Sequence, residues 1–180
     1  MKMFYKKGYV CYLRASQMNS LIEQSINDKR AFDRLKRIAT AYQRKQKELE
    51  SRHFSADDGL LLHSTLFSNE MFITYVHVKE ENTGIEEDGL RLVLDDIQEL
   101  LAYFRHEGIT LEGGLSYDNV YHLGNIIIGP AVVKAVIAKP KSELGIWLDK
   151  DIFDYLENNT AYKSYVSGRK VLEICEEIAT

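Results

Sequence analysis

Cysteine and proline each occur only twice in 180 residues. Cys11 and Cys175 have no motif spacing, so neither a disulfide framework nor a zinc motif is expected; two buried, reduced thiols in a cytoplasmic protein are. With so little proline there is no Pro/Gly/Ser linker, and the chain has no repeat, so residues 1–180 read as a single domain. Long apolar runs are missing too. The start MKMFYKKGYVCYL carries lysines around a short apolar segment, which is too little for a secretion signal or a membrane span. Basic charge is not in excess: the formal net charge of -4 argues against a nucleic-acid partner. The five histidines fall on separate segments without ligand spacing, so no metal centre is expected from them. One further absence is local, for no aspartate or glutamate occurs between Met1 and Ile22.

What is present suits one well-formed core, with 45% hydrophobic residues. Tyr9 to Leu13 reads as a buried strand, and Ser16 is placed to cap a short helix. Asn27 to His53 is the longest helical stretch, with Phe32, Leu35, Ile38, Tyr42 and Leu49 on one period and Asn27 or Asp28 as its N-cap. It holds nine Lys or Arg against four acids, read as a solvated face. Leu60 to Phe67 and Met71 to Val78 form a hairpin turning at Ser68-Asn69-Glu70. Ile85 to His106 is an amphipathic helix stopped by Gly108. Ile146-Trp147-Leu148 reads as a strand with Trp147 in the core, Asp151 to Asn158 as a helical turn, and the apolar residues from Tyr162 to Ile178 as a terminal strand or helix packed on the domain.

Residues 109 to 130, ITLEGGLSYDNVYHLGNIIIGP, organise the rest as two strands and a turn leading into a helix over Ala131 to Ala138. Gly113 and Gly114 inside a strand mark a bulge, or a place where ligand or another backbone comes close. Gly129-Pro130 suits a helix start.

These residues, with Gly145 to Leu156, resemble the class III nucleotide cyclase homology domains, in the bacterial branch that includes the pyrimidine cyclases of anti-phage (Pycsar-type) signalling. The resemblance covers the order of elements over about residues 8 to 157, leaving 158 to 180 as an extension. It implies an α+β sandwich, the ferredoxin-like class III cyclase fold, with helices on a mostly antiparallel sheet. It also implies a degenerate site. Arg14 stands where the first strand of the family delivers a metal-binding aspartate, with Gln17 and Met18 in place of the glycine and aromatic of the turn that follows. Asn69 replaces the second aspartate, in a turn reading Phe67-Ser68-Asn69-Glu70. Glu112 replaces the arginine of the Arg-Gly-Gly core, and Ala135 to Lys139 replace Ala-Tyr-Glu-Leu-Glu.

Metal-assisted cyclisation needs carboxylates to hold divalent ions. The pair Arg14 and Asn69 carries one positive charge where the family has two negative ones. Glu70 neighbours Asn69 and is expected on the opposite strand face, out of reach of the site. No catalytic residue, metal or cofactor is therefore assigned, and Arg14, Asn69, Glu70 and Glu112 are the nucleotide-pocket candidates. Three readings follow: a pseudoenzyme that binds a nucleotide or cyclic nucleotide through Arg14, an active cyclase with compensating residues, or a ligand-free interaction module with Arg14 in an ordinary ion pair. Pairing as a homodimer, or as a heterodimer with another cyclase-like chain, is implied by the resemblance, with Val120 and Tyr121 at the interface. Arg14 is expected to project away from the face of Leu13 and Ala15, and to be either neutralised by Glu112 or Glu70 or left free for phosphate.

Overall fold

Strand β1 (Lys6–Ala15) lies inside the sheet, and its alternation assigns the two faces. Tyr9, Cys11, Leu13 and Ala15 are buried on one side, while Tyr12 and Arg14 lie half-buried on the other, as a side-chain period of two requires. The structure is a computed structural model that describes residues 5–16, 18–52, 59–67, 70–78, 84–140, 143–162 and 165–171. β1 pairs antiparallel with β3 (Glu70–His77) and with β4 (Leu111–Leu123). β2 (Leu60–Phe67) forms the outer arm of a hairpin with β3, and β5 (Ile126–Ile128) folds back on the end of β4. β6 (Gly145–Leu148) runs parallel to β4, and two short strands, β7 (Val166–Ser167) and β8 (Lys170–Val171), continue the sheet beyond it. The sheet of eight strands has the order β2-β3-β1-β4-β6-β8-β7, with β5 attached to β4. Helices flank it, so the expected mostly antiparallel α/β architecture is the observed one.

Helices α1 (Met18–Ser25), α2 (Lys29–Arg52), α3 (Glu87–His106) and α5 (Lys150–Glu157) contribute to the main core on the Leu13 face, where Tyr42, Leu94, Ile97, Phe104 and Ile152 are buried. Each such side chain is worth about 1.5–3 kcal/mol of burial. The helix ends follow their sequence signals. Asp28 accepts the Arg30 N–H at 2.8 Å at the start of α2, and Asp149 accepts the Ile152 N–H at 3.0 Å at the start of α5. Past α3, Gly108 has φ of 71°, and the Ile109 N–H reaches back to the Phe104 carbonyl at 2.8 Å. Among the described residues no helix is long and apolar enough to cross a membrane.

On the opposite face a smaller cluster, Val10, Val76 and Val120 with Ala131 and Ala135, is covered by α4 (Pro130–Ala138). The glycine pair serves this packing. A Cβ on Gly114 would stand 2.1 Å from the Ala135 carbonyl oxygen, and one on Gly113 would stand 1.8 Å from the Tyr12 carbonyl oxygen. What comes close to these glycines is backbone.

Three expectations are corrected. Trp147 is half-buried on the outer face, because Ile146 and Leu148 take the core positions of a strand whose sides alternate. Phe32 is exposed, one turn ahead of where α2 meets the core at Leu35 and Ile38. Val120, expected on the surface, is buried beneath α4. The tail beyond Glu157 forms neither a long strand nor a long helix within the described residues: a 3-10 turn (Thr160–Tyr162) precedes β7 and β8, and Tyr162 and Val171 join the main core. Cys11 is fully buried as expected, while Cys175 lies outside the described residues.

His122 ties the β4–β5 hairpin to the first hairpin. Its Nε2 lies 2.8 Å from the Thr65 hydroxyl and its Nδ1 2.7 Å from the Thr74 hydroxyl, with the His63 ring 5.3 Å away. Burial and the neighbouring His63 hold its pKa below the ordinary histidine value. A histidine whose folded pKa is depressed stabilises the fold above its unfolded pKa of about 6.5, and loses that contribution as pH falls through the folded value. Amide exchange in residues 121–128 is therefore expected to quicken as pH is lowered below about 6.5, after correction for intrinsic exchange rates. His122→Gln should remove that pH dependence; an unchanged profile would refute this tether.

Candidate functional site

The strand register brings three of the four pocket candidates together. Arg14 on β1 is directly opposite Glu70 on β3 and Glu112 on β4, so the guanidinium rises from the sheet between two carboxylates on the same face. Glu70 is thus on the Arg14 face, contrary to the expectation that it points away. The pairing starts at Glu70 itself, and it is this residue that the alternation of β3 places there. Asn69, the remaining candidate, lies outside the described residues.

The Arg14 Nε and Nη2 both donate to Glu112 Oε1, at 2.9 and 2.5 Å. Lys139, at the end of α4, reaches the other oxygen of the same carboxylate at 3.3 Å. Glu112 is buried, and burial alone would raise its pKa. Hydrogen bonds from Arg14 and Lys139 outweigh that cost and hold it below the ordinary glutamate value. Glu70 has a different partner, accepting the Tyr12 hydroxyl at 2.7 Å. Of the two outcomes expected for Arg14, neutralisation by Glu112 is the one observed.

Lys139 joins the cluster although it is not among the four candidates, and its one signal in the sequence is the resemblance, which implies an acid at the positions of Arg14 and Lys139 and a base at that of Glu112. These three residues are partners in space. Chemically, the cluster already has its cations. Among the described residues no group of acids, histidines and cysteines is disposed to hold a metal ion.

Removing Arg14 tests this account. Its side chain is 38% exposed, so solvent screening trims the pair, and Arg14→Gln should cost about 1–2 kcal/mol near neutral pH. A carboxylate with a depressed folded pKa stabilises above its unfolded pKa, and that stability disappears as pH falls through the folded value. The gap between wild type and Arg14→Gln in denaturant midpoints should consequently narrow below about pH 4. A gap that does not change with pH would show that the pair contributes no charge-dependent stability.

No protein-family model matches the sequence, and no curated protein does. Among solved structures 28 chains match. One is the crystal structure of the guanylyl cyclase Cya2, similar at a TM-score of 0.50 and 12% identity, over 80% of this chain and 75% of that one. At that identity the likeness concerns fold, and the chain carries a cyclase-like fold.

Proposed function

We propose that this chain is a catalytically silent cyclase-like protein that acts as a regulatory partner by pairing with a second cyclase-like chain. The observation that carries the reading is the fixed guanidinium of Arg14 between Glu70 and Glu112. A divalent ion at this place would meet a positive charge with its own carboxylate already bound, and would lose the charge neutralisation that phosphoryl chemistry draws from metals.

Apolar surface supports pairing. Leu123, Ile126 and Ile128 are exposed around the β4–β5 turn, as are Val133, Val136 and Ile137 on α4. Apolar side chains concentrated on two adjoining elements fit a partner surface better than solvent. The partner is a second copy or a related chain, which the resemblance to cyclase domains favours. In that arrangement the hairpin tip and α4 take the place of the buried Val120, with Tyr121 half-buried beside them.

A second reading, a nucleotide or cyclic nucleotide held at Arg14, draws on one observation. Arg14 and Lys139 share the Glu112 carboxylate while Glu70 accepts the Tyr12 hydroxyl, so a partly exposed guanidinium has a second cation close by. Calorimetry with nucleoside triphosphates and cyclic mononucleotides, with and without magnesium or manganese, tests it, and Arg14→Ala should then weaken binding about tenfold or more.

For the leading reading, purified protein incubated with purine and pyrimidine triphosphates and either metal is expected to release no pyrophosphate above background. Metal-dependent release would overturn it. In sedimentation the chain should be dimeric at micromolar concentration and Ile137→Asp should shift it to monomer. If wild type is monomeric both alone and when mixed with an intact cyclase-like chain, the partner role fails.

A further inference from the structure

We propose that a cavity on the main-core side of the sheet is a binding site for a phosphate-class oxyanion, separate from the Arg14 cluster. It lies between α1, α2 and the turn that leads from α3 into β4, and has a volume of about 130 Å³. Ser16, Ser20 and Gln24 line it from the β1–α1 segment, Arg34 from α2, and Gly108 and Thr110 from the turn. Residues bearing three hydroxyls, a carboxamide and a guanidinium therefore line it from three separate parts of the chain. The frame is held by the backbone, since the Ser16 N–H donates to the Thr110 carbonyl at 2.8 Å.

Charge selects the ligand. No carboxylate lines this cavity, although the chain as a whole carries a net charge of -4. Arg34 is exposed and makes no ion pair among the described residues, unlike Arg14, which is closed on Glu112. A guanidinium offers a planar fork of donors matched to phosphate oxygens, and hydroxyls and carboxamides supply further donors. Size sets the limit. Sites for drug-sized ligands occupy about 300–1,000 Å³, so this space takes a phosphate group and not a whole nucleotide. The inference stands independently of the proposed function, because Arg34 and Arg14 belong to different elements and different partner sets.

The test uses the full chain and follows backbone amides by NMR while inorganic phosphate is titrated against chloride at constant ionic strength. Saturable shifts at Ser20, Gln24 and Thr110 are expected in wild type, and Arg34→Gln should weaken the phosphate affinity by about tenfold or more. Arg34 is exposed, so this variant should keep the wild-type melting temperature, while Arg34→Lys should retain part of the affinity. A nucleoside monophosphate that moves the same amides at lower concentration would identify the anion as the phosphate of a larger ligand protruding from the mouth. A response to inorganic phosphate alone would identify the free ion. Absence of saturable shifts, an equal response to chloride, or unchanged affinity in Arg34→Gln would each overturn the proposal.

Discussion

Glu112 is the group on which the outer face of the sheet depends. A buried carboxylate is expensive unless its charge is met by partners that also satisfy its lone pairs. Here one oxygen receives two N–H donors from Arg14 and the other faces Lys139, so β1, β4 and the end of α4 are tied through one side chain. The tie accounts for the position of Arg14. With its guanidinium fixed toward β4, Glu70 on the other flank takes the Tyr12 hydroxyl instead. The cluster carries its own cations, Arg14 and Lys139, both on the Glu112 carboxylate.

The fold beneath this cluster is fixed by different residues. Gly114 lets the backbone of α4 approach β4, where any Cβ would collide with the Ala135 carbonyl, and Gly113 gives β1 the same clearance. Ser116 adds a hydrogen bond from its hydroxyl to the Ala131 carbonyl at 2.5 Å. Close backbone packing of this kind tolerates no side chain, whereas the charged residues beside it can be exchanged provided that their sum of interactions is kept. This is how a likeness of fold persists at 12% identity.

Periodicity and punctuation were enough to read the element order. Strand β1, both hairpins, α2 and α3 fall close to the expected segments because alternation, helical period, Gly108 and Gly129-Pro130 all mark the same boundaries. Departures occurred where a local pattern could not report which face a neighbour occupies. The apolar company of Trp147 suggests a core position, but a strand that buries Ile146 and Leu148 must turn the residue between them outward. Counting from Asn69 puts Glu70 on the wrong face, because its face is fixed by register with Arg14, a long-range fact. The Arg14–Glu112 contact was within reach of sequence reasoning because strand alternation places Arg14 away from the core. Lys139 has only the resemblance as a signal, because its approach to Glu112 depends on how α4 lies across the sheet.

The charges of the cluster carry one more step. Arg14 and Glu112 face each other on adjacent strands, and Lys139 meets the second oxygen of the same carboxylate, so each member supplies the charge that another requires. A cation opposite Arg14 on β4 would instead set two like charges on adjacent strands, at a cost that a marginally stable domain absorbs poorly. Glu112 gives that position the opposite sign, and Arg14 and Lys139 between them engage both of its oxygens. The cluster therefore stabilises the junction of β1, β4 and the end of α4.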